Sequence, residues 1–172
     1  MNYASIRNCD IANGEGVRVS LFVSGCTHRC PGCFNPDQWN FSFGEAFTSE
    51  VEDRLLAYLA PSFIDGLSLL GGEPMEPENQ RALVPFLRRM RARFGDSKTL
   101  WVYTGCVYEV DLLPFPVVPS SRWRTEVTDE FLSMIDVLVD GPFIASKKDI
   151  SLRFRGSSNQ RILDLRKGRI LS

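Results

Sequence analysis

The chain has 172 residues, 44% of them hydrophobic and 24% charged, which suits one globular domain with a core of its own. With 20 basic and 21 acidic side chains the formal net charge is −1, and no charged tail stands out, so there is no field for gripping a long nucleic acid. The first ten residues lack the basic-then-apolar order of a secretory signal, and apolar runs such as 67–70 and 137–139 are far too short to span a bilayer. Five cysteines, an odd number with three packed into eight residues, point to metal binding in the cytoplasm rather than to a disulfide framework.

In chain order, residues 17–23 (VRVSLFV) are apolar and β-branched enough for a buried strand, which leads straight into Ser24-Gly25-Cys26. Ser49–Leu59 predicts a helix with Val51, Leu55, Leu56 and Leu59 on one face. Residues 67–70 predict a second strand ending in Gly71-Gly72-Glu73-Pro74. A longer helix is expected from Pro77 to Phe94, with Pro77 in its first turn, a buried stripe through Leu83, Phe86, Leu87, Met90 and Phe94, and a kink or break at Pro85. Thr99–Tyr103 predicts a third strand ending at Thr104-Gly105. A proline-rich loop over 112–121, a short helix over Thr128–Met134 and a fourth strand over 137–139, ending at Asp140-Gly141-Pro142, follow.

Strands alternating with helices imply βα units and a mostly parallel sheet, whose working loops lie at the strand C-terminal ends. Every distinctive motif falls at such an end. The expected fold is α/β, an incomplete (β/α)6-type open barrel of parallel strands with helices outside, formed as a single domain over 1–172. A complete barrel takes about 250 residues, and a doubly wound sheet is the alternative.

The segment Cys26-Thr27-His28-Arg29-Cys30-Pro31-Gly32-Cys33 has the spacing C-x3-C-x2-C. Thiolates are soft ligands that suit iron–sulfur clusters and zinc. Three cysteines with no nearby fourth would leave one iron of a four-iron cluster open, as catalysis at a metal requires. A structural zinc site with His28 as fourth ligand is the rival reading, although zinc usually draws its ligands from two separated pairs. His28, the one histidine, reads as a loop residue. Cys9 reads as a small buried hydrophobe, and Cys106 receives no role.

The cysteine triplet resembles the hallmark of the radical S-adenosylmethionine superfamily, and Gly71-Gly72-Glu73-Pro74 resembles its GGEP motif. Either motif alone is weaker evidence, and GGEP by itself reads as a strand-to-helix turn. The resemblance narrows at 10–18 (DIANGEGVR), 21–26 (LFVSGC), 30–35 (CPGCFN), Thr104-Gly105, 137–141 (VLVDG) and 155–160 (RGSSNQ), all similar to the anaerobic ribonucleoside-triphosphate reductase activating proteins. That family implies a [4Fe-4S] cluster on Cys26, Cys30 and Cys33, with S-adenosyl-L-methionine chelated at the unligated iron. Reductive cleavage then gives a 5′-deoxyadenosyl radical, which takes an α-hydrogen from a glycine of the large anaerobic reductase. It further implies that Gly71, Gly72 and Glu73 line the methionyl end of the cosubstrate, that Thr104 and Asp140 contact its ribose or amino group, and that an electron donor such as flavodoxin takes part. Glycines suit a close backbone approach to a ligand, whereas Asp140 could equally cap a turn.

The stretch Arg155-Gly156-Ser157-Ser158-Asn159-Gln160 reads either as a contact to cosubstrate or partner, or as a surface turn held by its own side chains. Gly32 stands where many superfamily members carry an aromatic residue, with Phe34 just beyond. The alternative function is a radical S-adenosylmethionine enzyme acting on a small molecule such as a deazapurine precursor.

Overall fold

A computed structural model describes residues 1–114 and 121–172. Eight strands form one mixed sheet: β1 (Asn2–Asp10), β2 (Arg18–Val23), β3 (Glu45–Ala46), β4 (Gly66–Gly71), β5 (Thr99–Tyr103), β6 (Val137–Asp140), β7 (Arg161–Asp164) and β8 (Arg169–Ile170), in the order β3-β1-β2-β4-β5-β6-β7-β8. Three α-helices, α1 (Ser49–Leu59), α2 (Pro77–Phe94) and α3 (Thr128–Met134), are the crossovers that make β2, β4, β5 and β6 parallel. None of the described helices is long and apolar enough to cross a membrane.

The expected barrel of six parallel strands is corrected here. Three pairings are parallel and four are antiparallel. A parallel neighbour needs a crossover that carries the chain back to the starting edge of the sheet, which the three helical connections do and the long 141–160 connection does not. β1 reaches β2 through the short loop 11–17, and β7 reaches β8 through a tight turn containing Gly168 at φ +58°. Pro85 does not split α2, which runs unbroken over Pro77–Phe94. Pro85 faces solvent, where water can satisfy the carbonyl that its missing N–H leaves free. Most of the proline-rich stretch 112–121 lies outside the described residues, and Tyr108–Leu112 before it forms a single helical turn.

The two sheet faces differ in chemistry. Val19, Leu21, Leu67, Leu69, Leu100, Val102, Leu138 and Leu163 share one face, packed against Leu55, Leu59, Leu83, Phe86, Leu87, Met90 and Phe131 of the helices. The other face carries Arg18, Ser20, Phe22, Ser68, Leu70, Trp101, Tyr103, Val139 and Ile162. All six residues of β2 are buried, so both of its faces are covered.

Arg18 closes the N-terminal end of that second face. It is 1% exposed, and its Nε donates to Ser68 Oγ at 2.8 Å. Nη1 donates to Glu15 O and Thr99 Oγ1, and Nη2 to Leu67 O and Thr99 O, at 2.8–3.1 Å. Its guanidinium lies 5.5 Å from the Trp101 ring centroid, and burial pushes its pKa down to about 10. Gly14 crosses directly above, where a Cβ would sit 2.9 Å from both Arg18 and Trp101. Arg18→Leu leaves these acceptors buried and unpaired. The expected loss is about 3 kcal/mol of unfolding free energy, measured by urea titration of the metal-free protein.

Candidate functional site

The cysteine loop leaves β2 at Val23 and is pinned before its first thiol. Ser24 N donates to Asn2 O, Gly25 N to Gln38 O and Cys26 N to Trp39 O, at 2.8–3.2 Å. Gly25 adopts φ +95° against the Phe41 ring, which any Cβ would strike. Thr27 donates through both its N–H and its hydroxyl to Glu76 Oε1 at 2.7 and 2.6 Å. Residues 30–33 make a β-turn with proline second and Gly32 third at φ +75°, closed by Cys33 N on Cys30 O at 3.1 Å. The turn therefore dictates glycine where an aromatic residue is common. Cys26, Cys30 and Cys33 are half-buried, and all three line a cavity of about 630 Å³ on the second sheet face.

Gly71 and Gly72 line the same cavity, but chain-on-chain packing is what demands glycine there. Gly72 N donates to Val23 O at 2.7 Å and Glu73 N to Gly25 O at 2.8 Å. A Cβ on Gly72 would sit 2.6 Å from Gly25 O, and one on Gly71, at φ +107°, 2.7 Å from Gln38 Oε1. The two motifs thus form one backbone unit. Glu73, 1% exposed, accepts from Met75 N at 2.8 Å through Oε1 and from Gly105 N at 2.7 Å through Oε2. His28 Nε2 lies 3.0 Å from the same Oε2 and 3.7 Å from Cys106 Sγ, and its ring stacks on Trp123 at 4.3 Å. Donor atoms of His28, Glu73 and Cys106 all lie within 4.8 Å of one another.

Sequence reasoning missed this cluster. In sequence His28 reads as a loop residue, with zinc ligation the rival, and its partners are distant in the chain. The one available signal was that His28, Glu73 and Cys106 each stand at or just past a strand's C-terminal end.

Thr104 is buried on the cavity wall, its N–H on Val139 O at 2.9 Å and its hydroxyl accepting from Cys106 N at 3.0 Å. Asp140 is 1% exposed and accepts from Arg161 Nε and Tyr108 N, each at 2.9 Å. Gly141, rather than Asp140, reaches the cavity wall. The stretch 155–160 contains the neck of a long loop. Asn159 Nδ2 donates to Pro142 O at 2.8 Å and Gln160 Nε2 to Gly141 O at 3.1 Å, while Gln160 Oε1 accepts from Gly156 N and Ser157 N. Arg155, Gly156 and Gln160 also line the cavity.

Burial, reinforced by Glu73 and Glu76, pushes the Cys26 thiol up to about 12, and burial also raises Cys30. Such thiols give up their protons when a cation supplies the charge. Cys106 is fully buried beside His28, and Cys9, contrary to its expected burial, is exposed on β1, so the cavity is offered three thiols and not four or five. That donor set fits a cluster with one open iron. The wall residues Trp39, Tyr103 and Arg155 each hold a buried N–H or O–H without a protein partner among the described residues, which fits a polar co-ligand. Gly72→Ala should push the cysteine loop off the end of β4. The expected result is a fall of at least about 2 kcal/mol in stability together with lower iron content after anaerobic reconstitution, read by urea unfolding and iron analysis.

A family model described as a 4Fe-4S single cluster domain matches residues 12–163. The anaerobic ribonucleoside-triphosphate reductase-activating protein of Escherichia coli K12 is 41% identical over 96% of this chain and 100% of its own length. Its namesake in Haemophilus influenzae is 42% identical over 93% of this chain and 96% of its own length, and that of Enterobacteria phage T4 is 37% identical over 94% and 93%. With the three thiols and the Gly71–Gly72 turn joined on one cavity wall, these matches make the chain a member of the family of anaerobic ribonucleoside-triphosphate reductase-activating proteins.

Proposed function

We propose that this protein is a glycyl-radical activase of the radical S-adenosylmethionine type, and that residues 1–172 carry the reaction as a single domain. Its substrate is the large anaerobic ribonucleoside-triphosphate reductase. The observation that carries the reading is the convergence of three thiols from one loop on a cavity at the parallel strand ends, with no fourth thiol on the wall. Cys26, Cys30 and Cys33 would hold a [4Fe-4S] cluster. When bound and reduced, such a cluster would supply the one-electron chemistry that cleaves S-adenosyl-L-methionine for removal of a glycine α-hydrogen.

The chain's own residues position and shield. The backbone bonds of Gly72 and Glu73 to Val23 and Gly25 hold the cysteine loop over the strand ends. Gly71, Gly72 and Glu73 would form the wall against the methionyl end, with Thr104 beside them on the same cavity. Asp140 acts from behind this wall, fixing Arg161 and the Tyr108 turn, and reaches the cosubstrate only through that framework. Phe22, Phe34, Phe143 and Phe154 give the cavity an apolar lining that keeps water from a reactive radical. Hydrogen-atom transfer needs no acid–base pair. The reaction runs in the cytoplasm with a donor such as reduced flavodoxin. The named relatives favour a protein substrate over a deazapurine precursor.

Anaerobic reconstitution and reduction with dithionite should give a four-iron paramagnetic resonance signal that changes on adding S-adenosyl-L-methionine and disappears in Cys30→Ala. With the reductase present, a glycine-centred radical should follow. Zinc in place of iron, or a signal indifferent to the cosubstrate, overturns the reading.

A further inference from the structure

Residues 142–159 form a loop between β6 and β7 that is tied at its neck by Asn159 and Gln160 and arches along the cavity mouth. It carries four cations, Lys147, Lys148, Arg153 and Arg155, against one carboxylate, Asp149, in a chain whose net charge is −1. Asp149 is occupied by the N–H and hydroxyl of Ser151 at 2.8 and 2.6 Å. None of the four cations forms an ion pair among the described residues, whereas Arg81, Arg88, Arg89 and Arg124 on the helical side all do. At the same cavity stand two exposed large apolar side chains, Ile150 at 94%, the highest such value among the described residues, and Phe34 at 61%. Lys148 Nζ sits 4.9 Å from the Phe34 ring centroid, and Phe143 packs on that ring at 5.1 Å. Lys148 and Arg155 line that cavity together with Ile150 and Phe34, and Lys147 and Arg153 are exposed on the same loop, so apolar and cationic groups meet at the rim of the cavity into which the substrate's glycine must reach.

We propose that this face is the docking surface for the glycine-bearing segment of the protein substrate, and that the segment presents carboxylates flanking at least one apolar side chain. The inference rests on the activase reading above. A small molecule enclosed in the cavity gains nothing from Ile150, which points to solvent. A polypeptide passing over the rim covers it and meets the unpaired cations with complementary charge.

The test uses the full chain with its cluster, anaerobically, against the intact large reductase of the same organism. Dissociation constants and association rates are measured by interferometry at low and high salt for wild type, Ile150→Asp and Lys147→Glu/Arg153→Glu. Partner-free formation of 5′-deoxyadenosine with dithionite is followed in parallel. The expected result is binding weakened about tenfold by Ile150→Asp. The charge-reversed variant should associate about tenfold more slowly at low salt, and that difference should shrink as salt rises. Partner-free cleavage should be unchanged in both.

Wild-type affinity in both variants overturns the docking surface while leaving the activase reading intact, provided the wild type still yields a glycyl radical. Loss of partner-free cleavage along with binding would put the loop in the cosubstrate site and overturn the proposal as well. A wild type that neither binds the reductase nor forms the radical brings down the activase reading, and this inference with it.

Discussion

A carboxylate taken out of water is costly unless several donors meet it, and the site is organised around one that is met. Glu73 receives Met75 N–H from its own turn, Gly105 N–H from the end of β5 and the His28 imidazole from the cysteine loop after β2. Three parallel strand ends are therefore held by one buried side chain. The support continues outward. Trp123 stacks on His28, Gln80 donates to both Met75 O and Trp123 O, and Asn79 donates to Ser24 O and Glu73 O. The first turns of α2 thus spend two buried amides on the loop that carries the thiols. Low-dielectric surroundings strengthen such a network when it is complete and make each lost member expensive.

The opposite end of the sheet has the same logic with the sign reversed. Arg18 fills the interior between β2, β4 and β5 with a cation met by carbonyls, hydroxyls and the Trp101 ring. Helices cover the aliphatic face, but the face that bears Arg18, Trp101 and Tyr103 is covered by loops 11–17 and 142–159. A closed barrel would pack that interior with side chains. Here the interior keeps an open cavity, because the flanking strands turn antiparallel and stop short of enclosing it.

The elements written in strong periodicity were legible. α1, α3 and β5 match their expected bounds, and the stripe of α2 is buried through Leu83, Phe86, Leu87 and Met90. β1 was not legible, because register shifts between Tyr3 and Ser5 and between Arg7 and Asp10, with Cys9 at φ +62°, scramble its alternation. β7 and β8 are too short and too polar to signal themselves. At the site, cysteine spacing and GGEP could be read because they are local. The reason for the glycines could not, since the atoms that exclude a Cβ belong to Val23, Gly25 and Gln38, far away in the chain. Asn79 and Gln80 are polar residues in the first turns of α2, and only tertiary placement buries them.

The two sides of the cavity differ in how firmly they are held. The thiol side is fixed by backbone hydrogen bonds in ladder-like succession, from Ser24 through Glu73, and by a fully occupied carboxylate. The loop side is tied at its neck, and beyond that by aromatic contacts of Phe143 on Phe34 and Phe154 on Trp101, with the bridge from Lys148 to Ser157. Segments with few buried apolar contacts and much exposed backbone open at lower free energy than core elements. A protein substrate needs room that a cosubstrate does not. The side with the fewer ties is the one facing solvent with unpaired cations, so a bound substrate meets less resistance there than on the thiol side.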